Sequence, residues 1–551
     1  MWQHNYTPVA GSLALSSLAA MMPVFTLLYC LGVKRKPAWV ASLWALAGAA
    51  SVALALYRMP LDRLIGAMLY GAAFALFPIG WIVFPAILLY RVTVETGKLE
   101  IVKDSLSSLT QDRRLQALLI AFVFCAFIEG AAGFGAPVAI CAAMLVGLGY
   151  SPFYAVAMCL LTNTVPVSFG SIAIPIITLA GVTGLPLGQL SAGVGRISAP
   201  VVLILPAYLV VLMGGWKALR GVLPAAAVCG IAYAGTELVV SNWVGVQLTD
   251  VLAALVSMAA LVALMRFWKP SDTAVLYPAV VAEGNPGQSV VPQTQKRHSA
   301  REVLSAWGPY VLLMMAILLW GYRPFLQMLD RVSGVAFPWP GLHNTIQRMP
   351  PVVQKPTNYA AIFNFNWLST AGTATMIVAA VSALLLGMTP VGFGRVFGKT
   401  VRQLTSCILT IAAVLAFAYL MNYSGATGTL GLAFAATGGM FPFFSAVLGG
   451  LGVFLTGSII SSNALFGTLQ VVTAEKLGMN PILMAASNCS GGAMGKMISL
   501  QSIAVAAAAA GLKMDQQAKL FRFMIKHSVL LVVVTGLIVL FYAYVAPGLV
   551  P

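Results

Sequence analysis

Long apolar runs alternate with short polar loops along the whole chain, and most runs are long enough to cross a bilayer as helices. One helical crossing takes about 20 apolar residues. The runs lie near residues 9–33, 37–57, 64–90, 115–149, 152–182, 198–214, 220–240, 248–268, 303–322, 366–389, 404–421, 428–470, 480–511 and 528–549. Several exceed one crossing, so we expect hairpins or broken helices among them. The pattern predicts an all-α polytopic membrane protein with about 12 to 14 membrane segments.

Basic residues cluster between alternate runs, which predicts the orientation of the chain. Lys34, Arg35 and Lys36 follow the first run, and the basic loop from Arg91 to Arg114 lies two runs later. Similar groups are Arg266/Lys269, Lys296/Arg297/Arg301, Arg395/Lys399/Arg402 and Lys513/Lys519/Arg522/Lys526. The positive-inside rule places these loops in the cytoplasm and the N-terminus outside. Because no basic segment precedes the first run, we do not expect it to be a cleaved signal peptide.

The composition leaves little room for a soluble domain. Of 551 residues, 60% are hydrophobic and 8% charged, and the mean hydropathy is +0.92. Soluble domains average about 25% charged residues. The net charge of +17 fits cytoplasmic loops and attraction to anionic lipid rather than nucleic acid.

The segment 270–302 is rich in proline, glycine, glutamine and serine, and it divides the chain near its middle. We interpret it as a flexible cytoplasmic linker between two transmembrane halves, residues 1–269 and 303–551.

The two halves echo each other. Gly457 follows Gly130 by 327 residues, and Asn488 follows Asn163 by 325, each pair in a glycine-rich apolar segment. Paired interrupted segments in two halves point to the binding site of a transporter. Chance similarity between two glycine-rich segments is the alternative, and the echo alone does not say whether the halves are inverted.

One carboxylate, that of Glu129, lies deep inside an apolar run. Three glycines and a proline follow it within residues 130–137, and these residue types weaken or break a helix. Ionisable groups at membrane depth are costly and usually mark an ion or substrate path. Non-helical backbone survives there only against protein or a water-filled cavity. The sequence therefore predicts a transport site at Glu129, with a structural ion pair to a neighbouring Arg or Lys as the alternative.

Polar side chains concentrate at the two matched interruptions. Broken helices expose N–H groups at half-helix N-termini, which favour an anion such as a carboxylate. We therefore expect substrate ligands among Ser458, Ser462, Asn463, Asn488, Ser490, Asn163 and Lys496. Each hydroxyl or amide alone is more often a helix cap or a helix–helix hydrogen bond. Lys496 is expected to form an ion pair with Glu129 or with the anion. An equal alternative is that its long side chain extends to the membrane interface.

Elimination favours a proton as the coupling ion. His4, His298, His343 and His527 lie in the N-terminus, in loops or at the edge of a run. Glu237 and Asp250 fall towards the ends of runs, which leaves Glu129 as the deep carboxyl. Removal from water favours the protonated form of a carboxyl and lets it exchange a proton near neutral pH. Sodium held by backbone carbonyls at the breaks stays open as the alternative.

An enzyme is disfavoured. Serine hydrolysis would need a base near the nucleophile, and no histidine lies within a run. The chain contains neither H-E-x-x-H nor C-x-x-C, and its seven cysteines are scattered singly. We therefore expect no cofactor and no metal. The expected partners are a small monocarboxylate, protons and membrane lipid, with self-association open and no nucleic acid.

The stretch Phe127–Ile140 (FIEGAAGFGAPVAI) resembles the signature of the bacterial L-lactate permease family, which includes glycolate permeases. Further similarity lies in Asn163–Val167, Arg348–Val353, Asn422–Gly425, Ser461–Phe466 and Gly495–Ser499. The resemblance implies import of L-lactate, with D-lactate and glycolate, by proton symport across a bacterial inner membrane. Another small carboxylate or a sodium-coupled carrier is the alternative. It also implies kinship with inverted-repeat, elevator-like ion transporters.

The chain departs from the expected family pattern at three places. Ile459 and Ile460 stand where the family resemblance leads us to expect an acidic and a hydroxyl residue. Leu500 replaces an expected proline, and Asn364 and Asn366 replace an expected charged pair. The missing acid leaves Glu129 more alone as the proton carrier, and it predicts an altered substrate preference or coupling ion.

Overall fold

The computed structural model describes residues 1–133, 136–270, 276–281 and 298–551. Within these residues, ten helices are long and apolar enough to cross a membrane, or up to eleven when one bent pair counts as a span. This confirms the predicted all-α polytopic architecture. Phe134 and Gly135 of the glycine-rich motif, and residues 271–275 and 282–297 of the linker region, lie outside the described residues.

The first half contains twelve helices within the described ranges. They are α1 (Leu13–Leu28), α2 (Ala38–Ala55), α3 (Leu61–Phe74), α4 (Trp81–Glu95), α5 (Lys98–Ser107), α6 (Arg113–Ala117), α7 (Cys125–Ala131), α8 (Ala136–Gly147), α9 (Pro152–Thr162), α10 (Gly170–Thr183), α11 (Leu187–Val239) and α12 (Thr249–Phe267). A π-helical segment joins α6 to α7. Helix α11 folds back on itself at Gly214 and Gly215, where Gly215 has a φ of +68°. The Ser191 hydroxyl therefore reaches the Ser241 carbonyl near the far end of the second arm, at 2.9 Å.

The second half contains ten helices within the described ranges. They are α13 (Ala300–Gly321), α14 (Arg323–Ser333), α15 (Ala371–Leu385), α16 (Pro390–Ser424), α17 (Ala426–Phe434), α18 (Phe441–Thr456), α19 (Ile459–Leu477), α20 (Pro481–Lys496), α21 (Leu500–Ala509) and α22 (Met514–Tyr544). Short polar or glycine-rich breaks separate α18 from α19 and α20 from α21. Helices α20 and α21 are bent by 41° relative to each other.

A re-entrant hairpin precedes a broken helix in each half. In the first hairpin (Arg113–Gly149), the start of α6 and the end of α8 lie side by side. The Arg113 Nη1 group donates to the Gly149 carbonyl at 3.3 Å. In the second hairpin (Phe441–Leu477), Ser462 of α19 donates to the Gly449 carbonyl of α18 at 3.2 Å. The broken helix α9–α10 follows the first hairpin, and α20–α21 follows the second.

The two hairpins enter the molecule from opposite ends. Helix α9 begins beside the mouth of the first hairpin, while the end of α10 accepts a 2.8 Å hydrogen bond from Thr468 of the second hairpin. In the other half, α20 begins beside the mouth of the second hairpin, and α21 packs against α8 and α9 of the first half. The hairpins and broken helices are therefore related as inverted repeats.

A small β-structure, which the sequence analysis did not predict, covers one end of the bundle. Its strands are β1 (Trp2–Gln3), β2 (Gly334–Pro338), β3 (Ile346–Arg348), β4 (Thr357–Asn358) and β5 (Ile362–Asn366). Strand β3 lies between β1, in parallel, and β4, antiparallel, with Trp2 opposite Ile346. Strands β2 and β5 form a separate antiparallel pair with Val335 opposite Phe365. We call this end of the molecule the sheet end.

The C-terminus lies at the sheet end too, where the Asn480 amide donates to the Pro551 carbonyl at 3.3 Å. The basic loops lie at the opposite end, where Lys399 pairs with Glu95 at 2.6 Å. The described part of the linker, residues 276–281, also packs there: the Ser151 N–H donates to the Val280 carbonyl at 2.8 Å. This charge distribution agrees with a cytoplasmic basic end and an external sheet end.

Candidate functional site

Glu129 lies near the tip of the first hairpin and contacts the break in the following helix. Its side chain is buried, and the Asn163 amide donates to Oε2 at 2.9 Å. Asn163 ends α9, so this hydrogen bond joins the hairpin tip to the broken helix. A Cβ on Gly170 would come within 3.0 Å of Glu129 Oε1, and one on Gly133 within 1.9 Å of Ser171 Oγ. The glycines therefore permit a close approach of the two elements, beyond weakening the helix.

The start of α10 has a strained backbone. Ser171, Ile172 and Ala173 have φ values of +50°, +60° and +62°, in the left-handed region that L-residues rarely adopt. Strain of this kind costs on the order of 1–3 kcal/mol per residue and clusters at ligand sites and switches. The Ser171 hydroxyl donates to the Ala132 carbonyl at 2.9 Å, which ties the strained segment to the hairpin tip.

Lys496 occupies the equivalent place in the second half. It ends α20, and its ammonium donates to the Gly457 carbonyl at the tip of the second hairpin at 2.6 Å. Ser458 caps the N-terminus of α19, and Ser499 caps that of α21. Two helix N-termini and an ammonium group favour an anion between them. Lys496 and Glu129 attract each other across the site, and the described residues form no direct ion pair between them.

A chain of buried amides connects the second hairpin to its neighbours. Asn463 donates to the Pro175 carbonyl of α10 at 2.9 Å, and Asn488 donates to Asn463 Oδ1 at 2.9 Å. Gln470 then donates to Asn488 Oδ1 at 3.1 Å. Both amide groups of Asn463 and Asn488 are thus engaged in contacts between helices. Sequence reasoning missed Gln470, because a lone glutamine in a helix gives no local signal.

The second interruption lies later in the chain than the sequence echo predicted. Asn488 and Ser490 were expected at a break, but they lie inside α20, and the break follows Lys496. The glycines in this stretch serve packing instead: a Cβ on Gly491 would lie 2.1 Å from the Ala446 carbonyl of α18. The Ser490 hydroxyl is buried and has no hydrogen-bond partner among the described residues.

Two further carboxyls lie behind the first hairpin: Glu237 is near the end of α11 and Asp250 is in the first turn of α12, at the ends of runs as predicted. Both are fully buried, at 0% and 1% exposure. A Cβ on Gly130 would lie 2.8 Å from Asp250 Cβ, and Tyr233 donates to Asp250 Oδ1 at 3.3 Å. Within the described chain, Asp250 Oδ2 and both Glu237 oxygens have no hydrogen-bond partner. The hydropathy pattern did not reveal this burial.

Two histidines are also less peripheral than predicted. His527 lies within α22 and is hydrogen-bonded to Tyr208, rather than at a span edge. His4 belongs to the N-terminal segment as expected, but it is buried and hydrogen-bonded to the Tyr423 carbonyl at 2.9 Å. In the described part of the chain, no three His, Cys, Asp or Glu side chains come together as a metal site would require.

Comparison with known proteins gives a consistent result over the full length. Residues 16–546 match the sequence model described as L-lactate permease. The chain is similar to the L-lactate permease of Salmonella typhimurium, with 41% identity and 100% of both chains covered. It is also similar to the L-lactate permease of Bacillus subtilis, with 42% identity and 100% of both covered. The glycolate permease of Escherichia coli is 41% identical, with 100% of this chain and 99% of that protein covered.

Proposed function

This chain belongs to the L-lactate permease family, and we propose that it imports L-lactate, D-lactate and glycolate by proton symport across the bacterial inner membrane. The observation that carries the proposal is the buried Glu129 at a hairpin tip, bonded to the break of the neighbouring helix. The names of the relatives support the substrate class. A carrier of another small carboxylate, or one coupled to sodium, is the alternative.

The substrate carboxylate would lie between Lys496 and the N-termini of α19 and α21, with Ser458 and Ser499 at their caps. Asn163 would face it from the opposite hairpin, beside Glu129. Asn463 and Asn488 would position the second hairpin through their mutual hydrogen bond, and Ser462 would stabilise its two arms. The free hydroxyl of Ser490 is a second-rank candidate for a substrate contact.

Charge balance supplies the coupling. When a substrate anion is bound, a protonated Glu129 and a charged Lys496 leave the site with no net charge. When the site is empty, an ionised Glu129 balances Lys496. Both states then avoid an uncompensated charge at membrane depth, which is costly. A bound anion together with an ionised Glu129 would leave one negative charge, so substrate and proton cross together.

Uptake into proteoliposomes tests this proposal. Labelled L-lactate, D-lactate, glycolate and acetate are offered with a pH gradient, with a sodium gradient, or with neither. We expect the pH gradient to drive accumulation of the three 2-hydroxy acids. Glu129→Gln should abolish this accumulation while keeping lactate counterflow, and Glu129→Asp should keep part of it. Glu100→Gln, on an exposed carboxylate, is the matched control. Accumulation driven by the pH gradient in Glu129→Gln would refute the role of Glu129.

A further inference from the structure

A cavity of ≈ 110 Å³ opens at the sheet end of the molecule, apart from Glu129 and Lys496. It is formed by His4 and Tyr6 of the N-terminal segment, Arg348 of the sheet, the junction of α16 and α17, the second hairpin and the end of α10. Two motifs that the central site does not use, Arg348–Val353 and Asn422–Gly425, meet here. Sites for drug-sized ligands occupy roughly 300–1,000 Å³, so this cavity suits a small molecule.

Two features of the lining favour an anion. The Arg348 guanidinium lies over the Tyr359 ring, 5.4 Å from its centroid, and has no ion pair among the described residues. Helix α17 begins just after Gly425, and its first turn, with Thr427 and Gly428, lines the cavity. The first N–H groups of a helix have no carbonyl partner within it and attract negative charge. An arginine beside such a turn offers a carboxylate both a fork of donors and a helix N-terminus.

Aromatic side chains of the N-terminal segment cover the start of α17. A Cβ on Gly425 would lie 3.2 Å from the His4 ring, and one on Gly428 would lie 2.5 Å from the Tyr6 ring. Burial lowers the pKa of His4 to about 4, and the charge of Arg348 contributes to this shift. His4 is therefore neutral at neutral pH, so Arg348 supplies the positive charge in the cavity. Glu475 of the second hairpin supplies a negative one.

The bottom of the cavity lies at the contact between the two repeats. Asn422 donates to Thr468 Oγ1 at 3.0 Å, and Thr468 donates to the Val182 carbonyl at 2.8 Å. Thr468 belongs to the second hairpin and Val182 to α10, and both elements run from here towards the central site. A ligand in the cavity would thus lie at the external end of the contact between the second hairpin and α10.

We propose that this cavity is an external binding site for the carboxylate of a small monocarboxylate, occupied before the substrate reaches the central site. The inference rests on the proposed function for its substrate class. Arg348 and the first turn of α17 bind the carboxylate, and the valine side chains of the lining contact the rest of the molecule. Glu475 opposes anion binding, which keeps the affinity low enough for release inward.

Equilibrium binding of tritiated L-lactate to the purified full-length protein tests the proposal. We expect two lactate molecules per chain in the wild type. In Arg348→Gln, one site should weaken roughly tenfold or more, because a charge-assisted contact is lost. Arg348→Lys should retain part of the affinity. Lys496→Gln should lose the other site instead. Lys355→Gln, a nearby exposed cation outside the cavity lining, is the matched control and should retain both sites.

Glu475→Gln separates this proposal from a structural role of Arg348. If Arg348 binds substrate, removing the negative charge of Glu475 should tighten the external site. If Arg348 only stabilises the second hairpin through long-range attraction to Glu475, both substitutions should weaken binding alike and without additivity, and the proposal fails. A single site that survives Arg348→Gln also overturns it. No binding by wild type at any site would instead contradict the proposed substrate class.

Discussion

Three carboxyls lie buried around the first hairpin, but only one of them faces a cation. Glu129 accepts from Asn163 and is attracted by Lys496. Asp250 accepts from Tyr233, and Glu237 has no hydrogen-bond partner among the described residues. An isolated carboxylate in such a place costs several kcal/mol, so an uncharged side chain suits the positions of Asp250 and Glu237. Only at Glu129 can a change of charge be compensated within the site.

This difference predicts distinct phenotypes for the three carboxyls. Asp250→Asn and Glu237→Gln keep the shape of the wild-type groups and carry no charge. We therefore expect both variants to accumulate lactate in response to a pH gradient, with the proton-to-lactate ratio of the wild type. The ratio is measured from the uptake of label and the pH change in lightly buffered proteoliposomes. If Asp250→Asn uncouples transport while the protein stays folded, the proton passes through Asp250 as well.

His4 makes the stability of the sheet end depend on pH. Its pKa falls from 6.5 to about 4 on folding, mainly because it is buried. The unfolded chain therefore takes up a proton first as the pH falls, so stability is full above about pH 6.5 and declines down to about pH 4. The loss amounts to as much as about 3 kcal/mol.

Thermal unfolding in detergent between pH 7.5 and 4.5 measures this effect. His4→Asn should melt at a lower temperature than the wild type at pH 7.5 and should show a smaller decline towards pH 4.5. His343→Asn, on a partly exposed histidine at the same end, is the control and should decline as the wild type does. An unchanged pH dependence in His4→Asn would show that other groups cause the decline.

At the scale of elements, the sequence predicted the places where helices break but not all of their partners. The glycines after Glu129 predicted an interruption, and α7 ends at Ala131. Gly457 and Ser458 likewise form the tip of the second hairpin. The second broken helix was placed too early, because glycine favours both a break and a close helix contact. Only the neighbouring helix decides between the two.

The sheet and the burial of Glu237 and Asp250 could not be predicted for a related reason. Strand β1 is two residues long and pairs with β3 more than 300 residues away, so no local alternation of polar and apolar residues predicts it. Asp250 lies in the first turn of α12, where the hydropathy pattern predicts the end of a membrane span. The start of α12 packs against α7, and the segment before it packs against α11. Non-local packing, rather than residue preference, determines these positions.

The packing of α18 against α20 yields a prediction for these glycines. A Cβ on Gly491 would lie 2.1 Å from a backbone carbonyl of α18, which cannot move without shifting the helix. We expect Gly491→Ala to destabilise the protein by about 1–3 kcal/mol through this overpacking. Gly398→Ala, in α16 with nothing within 4 Å, should be neutral or stabilise by up to about 1 kcal/mol. The melting temperatures of both variants in detergent test this prediction. Equal melting temperatures for Gly491→Ala and Gly398→Ala would mean that α18 and α20 can move apart to accommodate the added methyl group.

At the scale of the whole molecule, the two hairpins enter from opposite ends. Each tip lies beside the break of its following helix, and the two opposite charges, Glu129 and Lys496, belong to different repeats. Movement of either hairpin therefore changes the distance between these charges and their surroundings. In the proposed mechanism, such movements would expose the site to one side at a time while its net charge is kept.

The assignment of the sheet end to the outside is itself a testable prediction. It rests on the basic loops at the opposite end, which the positive-inside rule places in the cytoplasm. In a cysteine-free variant, single cysteines replace the exposed residues Lys355, Gly548 or Lys519. A membrane-impermeant maleimide should label positions 355 and 548 in intact cells, and position 519 only after permeabilisation. Ser289, which lies outside the described residues, should behave as Lys519 does. The reverse pattern would place the Arg348 cavity on the cytoplasmic side, where it would receive the product of import rather than its substrate.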